Sequence, residues 1–159
     1  MPGLDVRSEK MVKEEFTRKS AFISVEIAIK SNHEPSSFVK WFECQDNFVN
    51  KIAWKPEKWY IYCDPIGGLD ANSVILKLCQ MIEDLPEEVR KDWDQAKERE
   101  FYAGYYGGDE PFCFTEHLKV ETIEAALAVN AGIGFALYPA PPTDEEGFTE
   151  DFYEEDTIL

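Results

Sequence analysis

No stretch of this 159-residue chain approaches the roughly 20 consecutive apolar residues of a membrane helix. No apolar core follows the polar N-terminus MPGLDVRSEK, which argues against a secretory signal and for a cytoplasmic protein. Metal-site and redox spacings are missing too. Cys44, Cys63, Cys79 and Cys113 form no C-x-x-C pair, and His33 and His117 stand far apart. Four reduced, mostly buried thiols are expected, with no metal and no cofactor. There is no glycine-rich phosphate loop, no G-x-S-x-G and no H-E-x-x-H. Nucleotide binding and the commonest hydrolytic mechanisms therefore have no motif to stand on.

Positive charge is the scarcest property of all. Sixteen Lys and Arg face 32 Asp and Glu, a net charge of −16. Such a chain repels nucleic-acid phosphates and anionic membranes at long range, so neither is expected as a direct partner. The last base is Lys119. From Ala140 onward eight acids and no base carry −8, leaving −8 for residues 1–139.

What the chain does contain is enough apolar material for one core: 44% hydrophobic residues, 14% of all residues being aromatic. The expected organisation is a flexible lead-in over 1–15, a single α+β domain over 16–139, and an acidic aromatic tail over 140–159 that is disordered when free. Phe22 to Lys30 alternates as a strand, with Ile23, Val25, Ile27 and Ile29 on one face. Ser36 or Ser37 can cap a short helix carrying Phe38, Val39, Trp41 and Phe42. Phe48–Trp54 and Trp59–Cys63 follow as strands. Asp70 or Asn72 can cap the clearest helix, whose Val74, Ile75, Leu78, Cys79 and Ile82 keep the spacing of a buried face. Pro86 suits the first turn of another helix, with Glu87 and Glu88 at its positive end and Val89, Trp93 and Ala96 inward. Phe101–Tyr106 reads as a strand, Gly107–Pro111 as a turn, and Phe112–Phe114 as the continuation of a hairpin. Thr115 can cap a helix reaching Asn130, with Leu118, Ile123, Ala126 and Leu127 inward and Gly132 at its C′ position. Ile133, Phe135 and Leu137 then alternate as a final strand. This order predicts a mostly antiparallel sheet with helices packed on one face.

From Leu69 to Pro139 the chain runs helix, acidic helix, then EFYAGYYGGDEPFCFTEHLKVETIEAALAVNAGIGFALYP. That stretch resembles a bacterial domain-of-unknown-function family, in which a strand and turn lead to a helix and a short strand ends in an apolar–Tyr pair. The corresponding features here are Phe101–Tyr106, Gly107–Gly108, Leu118–Ala131 and Ile133–Tyr138. The likeness covers under half the chain, implies a bacterial α+β domain, and brings no catalytic residue with it. In size and acidity the chain is also similar to bacterial toxin-immunity proteins and nuclease or restriction inhibitors.

The chemical constellations are weak. Cys113 and His117, four apart, have no third group to orient them. Glu116 and His117 are adjacent and diverge on a helix. Carboxylate pairs such as Glu83–Glu87 and Glu121–Glu124 arise by chance among 32 acids. No enzymatic activity is expected. The aromatics say more. Trp41, Trp54, Trp59, Tyr60, Tyr62, Tyr102, Tyr105 and Tyr106 are many for a chain this size; alternate members can fill the core while the rest cover a sheet face, and a half-exposed tyrosine face with acids around it suits protein binding. Thr157–Ile158–Leu159 also fits the free-carboxylate pattern of peptides that add to a sheet edge.

These features predict a non-enzymatic inhibitor of the immunity type, which binds and occludes a basic bacterial protein such as a nuclease toxin or nucleic-acid-binding enzyme. Its binding residues are expected in the tail (Asp144, Glu145, Glu146, Glu150, Asp151, Phe152 and Tyr153) and in the turn (Asp109 and Glu110). Acids would steer the basic partner and aromatics would anchor it. The other reading is an adaptor or assembly module that docks its partner through the same tail.

Overall fold

The computed structural model describes residues 18–45, 49–55, 58–63 and 70–140, with only the backbone along β2 and most of β3. The expected lead-in over 1–15 and the tail beyond Ala140 lie outside the described residues. The fold is α+β. Its elements run β1 (Ala21–Lys30), α1 (Ser36–Glu43), β2 (Val49–Lys55), β3 (Lys58–Cys63), α2 (Ala71–Glu83), α3 (Glu87–Asp94), β4 (Glu98–Gly107), α4 (Val120–Ala128) and β5 (Gly132–Pro139). The five strands line up as β2-β3-β1-β4-β5. All neighbours pair antiparallel except β4 and β5, which are parallel. A parallel pair needs a crossover, and the chain from Gly108 to Ala131, carrying α4, supplies it.

Alternation puts Val25, Ile27 and Ile29 of β1 on the helix side, all fully buried with Phe101 and Ala103 of β4. The expected first member, Ile23, does not join them. A bulge leaves Ile23 without a register partner between Phe22, opposite Tyr105, and Ser24, opposite Gly104. The extra residue shifts the alternation, so Phe22 takes the inward place and meets the Tyr105 ring edge-on at 5.6 Å.

On α2, Val74, Ile75, Leu78, Cys79 and Ile82 are buried as their spacing requires. Asp70 is the cap, accepting the Ser73 backbone N–H at 2.7 Å. Trp93, at the end of α3, is the largest fully buried side chain. It stacks on Phe38 at 5.5 Å and its indole N–H donates to the Val129 carbonyl at 2.9 Å. Burying a ring of this kind stabilises the fold by about 3 kcal/mol.

Two helix starts differ from expectation. Neither Ser36 nor Ser37 caps α1. Pro35 holds that position, and the Asp92 carboxylate of α3 accepts the N–H groups of Ser37 and Phe38 at 2.9 and 3.1 Å. A long-range carboxylate at the positive helix end does the work of a local hydroxyl. Thr115 does not open α4 either. The helix begins five residues later, with Lys119 as its cap. At its far end Asn130, not Gly132, takes the left-handed conformation, with φ of 57°. The N–H groups of Asn130 and Ala131 donate to Leu127 and Ala126 carbonyls at 2.9 Å each, closing a Schellman motif.

Phe112–Phe114 continue no hairpin, because the turn is held elsewhere. The Asp109 and Glu110 N–H groups donate to the Arg18 carbonyl, and Ser20 N–H donates to the Glu110 carbonyl at 2.7 Å. Gly108 lies so close to residues 18 and 19 that a methyl there would overlap the Arg18 backbone.

Candidate partner-binding surface

Asn72 sets the geometry of this surface. Expected as a cap, it is instead a buried clamp on the segment leading into α4. Its amide N–H donates to the His117 carbonyl at 2.9 Å. Its carbonyl accepts the Lys119 N–H and the Thr122 hydroxyl, each at 2.8 Å. That network turns Thr122 toward the core, and Ala126 and Val129 follow at i+4 and i+7. The opposite stripe, Val120, Ile123 and Leu127, therefore faces solvent, with Leu127 75% exposed. The expected inward placing of Ile123 and Leu127 is corrected by this phase of the helix. Ala126 is buried as expected, and Leu118 packs partly against the core.

α4 lies beside β5. The helix leaves much of that strand bare. Ile133 packs on the core, but Phe135 and Leu137, on the same face, are 63% and 76% exposed. Tyr105 joins strand and loop: its ring lies 6.4 Å from Phe135 and 5.7 Å from Phe114. Phe112 is fully exposed next to Phe114. Within Gly132–Pro139 there is no charged residue, although β5 is an edge strand. Edges of monomeric proteins are usually blunted by charge, bulge or cover. Asp109 and Glu110, just before Phe112 in the chain, and Glu121 and Glu124, on α4 with Ile123 and Leu127, are exposed.

The residues expected to bind are thus partly placed. Asp109 and Glu110 stand exposed at the turn, three and two residues before Phe112. Asp144, Glu145, Glu146, Glu150, Asp151, Phe152 and Tyr153 lie outside the described residues. Phe112, Phe114, Ile123, Leu127, Phe135 and Leu137 were not among the expected site residues. The uncharged run GIGFALYP, apolar on both faces, was the signal in the sequence for Phe135 and Leu137. Of the expected tyrosine face, Tyr102 and Tyr106 are half-buried, while Tyr105 is buried on the helix side.

Cys113 Sγ meets Thr115 Oγ1 at 3.5 Å, and His117 is exposed, with its carbonyl engaged by Asn72. Burial, aided by Glu83, pushes the Cys79 thiol up to about 12, so it stays protonated. Cys44 and Cys113 are exposed, against the expectation of mostly buried thiols. The Tyr105 hydroxyl is buried without a hydrogen bond. Burial and then the neighbouring Glu116 carboxylate hold it above its ordinary range. Glu116 is itself occupied, accepting the Ala71 N–H at 3.1 Å. Among the described residues no cluster of three His, Cys, Asp or Glu side chains could hold a metal ion, and no helix is long and apolar enough to cross a membrane.

Comparison with protein-family models, with curated proteins and with solved structures gives no match to this chain.

Proposed function

We propose that this protein is a non-enzymatic inhibitor that docks a basic bacterial protein, such as a nuclease toxin or nucleic-acid-binding enzyme, on the α4–β5 face. The observation that carries this reading is the exposed apolar set Phe112, Phe114, Ile123, Leu127, Phe135 and Leu137 beside the exposed acids Asp109, Glu110, Glu121 and Glu124. Apolar anchors within a charged rim suit a protein interface. The sign of the rim, and the 32 acids against 16 bases, select a partner rich in Lys and Arg. A protein that binds nucleic acid displays such residues where phosphate sits, so covering them blocks its activity.

Affinity capture from a lysate of the source cells, using wild type and Phe135→Asp at low and high salt, tests the reading. A basic protein retained by wild type, lost in high salt and lost by the variant is the expected result. Its cleavage or binding of nucleic acid should then fall when wild-type protein is added. A neutral partner held equally by both forms at any salt would remove the inhibitor reading and favour an adaptor.

A further inference from the structure

We propose that the protein forms a two-fold dimer in which the β5 edges of two copies pair antiparallel, with Phe135 on the axis, joining two five-stranded sheets into one. β5 ends the strand order, and none of its residues is charged. Its ladder to β4 fixes which backbone groups it offers. The Ala140 N–H donates to the Gly107 carbonyl at 3.1 Å, while Gly107 has Pro139 as its register partner. In a parallel ladder every second residue turns both backbone groups to the neighbouring strand. Gly134, Ala136 and Tyr138 therefore share the orientation of Ala140. Ile133, Phe135 and Leu137 turn theirs toward the edge, where no described strand meets them. Pro139 belongs to the same outward set and has no N–H to offer.

A two-fold axis perpendicular to the sheet keeps both helix layers on one side and limits the register. Paired residues share a face, so the axis passes through a residue rather than between two. Centred on Phe135, the ladder pairs that residue with its own copy and Ile133 with the second copy's Leu137. Each such pair exchanges both of its N–H···O=C bonds, and Pro139 falls beyond them. Centring on Ala136 would set Pro139 opposite Ile133 and lose a bond; centring on Gly134 would set Leu137 opposite Ala131, outside the strand. On the far face Gly134 then meets the second copy's Ala136, two small residues. The area is sufficient. All eight large apolar side chains that the described residues expose lie between Phe112 and Tyr138. Their open surface is on the order of 900 Å², taking roughly 150–250 Å² for a whole aromatic side chain. The largest apolar patch of a monomer is about 300–600 Å², whereas a stable dimer buries about 800 Å² on each partner. Two charges of −16 oppose the association, so salt strengthens it. A basic partner responds to salt with the opposite sign, and it must displace the second copy to reach the same face.

Sedimentation equilibrium and residue-resolved amide exchange of the full chain, over a range of concentrations at low and high salt, test the dimer. Wild type should double in mass as concentration rises, at lower concentration in high salt. As it does so, the amides of Ile133, Phe135 and Leu137 should slow by roughly tenfold or more, while those of Gly134, Ala136 and Tyr138 stay slow throughout. Phe135→Asp sets two like charges at the axis. Leu137→Pro removes an outward N–H and no bond to β4. Each should raise the dissociation constant by roughly tenfold or more with the circular dichroism of the fold retained. Should a variant unfold, the alternation of exchange in wild type decides alone. A wild type that stays monomeric at every concentration and salt overturns the proposal. So does a dimer in which the three outward amides stay fast, or one that both folded variants form equally well. The dimer does not rest on the inhibitor reading: a monomer that still captures a basic protein would overturn the dimer and leave that reading standing.

Discussion

Glu26 is a carboxyl on the face of β1 turned away from the helices, with Tyr62 of β3 and Tyr102 of β4 as its register partners. Burial pushes its pKa from 4.5 up to about 7. Below about pH 4.5 both folded and unfolded chains hold the proton, and nothing is lost. Between about 4.5 and 7 the unfolded chain releases the proton while the folded one keeps it, so this residue's contribution to stability falls as pH rises. Glu26→Gln removes that penalty. The variant should exceed wild type by about 1 kcal/mol at pH 8, allowing for solvent screening at a half-open site, and by nothing at pH 4. Urea unfolding at the two pH values measures the difference, and an equal gain at both would show that ionisation of Glu26 is not the cause. The alternation of β1 made it legible that Glu26 faces away from Ile27. Its burial was not legible, because that depends on strands β3 and β4 brought in from 36 and 76 residues away. Asn72 taught the same lesson. A residue type that commonly caps helices stands beside a working Asp70 cap and binds residues 117 to 122 instead.

At the scale of elements, α2 was fully legible because one strongly apolar stripe leaves only one way to turn the helix. α4 offered two stripes. Val120, Ile123 and Leu127 are the more apolar, while Thr122, Ala126 and Val129 are smaller and include a hydroxyl. Hydrophobicity alone selects the first. The structure uses the second, because the Thr122 hydroxyl completes the Asn72 network and small residues allow close packing on α2. The consequence can be measured. Leu127→Asp should change stability by no more than about 0.5 kcal/mol, as for exposed positions generally. Ala126→Leu, a change that looks conservative, should cost about 1–3 kcal/mol by overpacking a fully enclosed site. Chemical denaturation of the two variants decides between the phases, since the opposite ranking would place the larger stripe inward. The parallel crossover that carries α4 was not legible either. A single strand's pattern shows which faces are apolar but not the direction of the neighbour it pairs with.

For the molecule as a whole, composition carried more than any motif. An excess of acids over bases, continued past Lys119 with no further base, decides the sign of the field whatever the fold. The pairs described in the structure, Lys30 with Glu98 at 2.8 Å and Arg90 with Asp94 at 3.1 Å, lie on the surface, where such contacts contribute about 1 kcal/mol or less. Even with every one of the 16 bases paired, 16 acids would remain uncompensated. Self-repulsion among the remaining acids opposes the compact state, and mobile ions screen it over a Debye length that falls from about 30 Å at 0.01 M to about 3 Å at 1 M salt. Sodium chloride should therefore raise the melting temperature of the isolated protein by several degrees across that range, before any effect on hydrophobic burial. Replacing chloride with sulfate at matched ionic strength separates the two contributions: screening follows ionic strength, whereas strengthened burial follows the identity of the anion. A melting temperature that is flat in chloride would mean that the acids are spaced widely enough on the fold for water alone to screen them. In that case the steering of a basic partner would also be weak, because the same field acts in both.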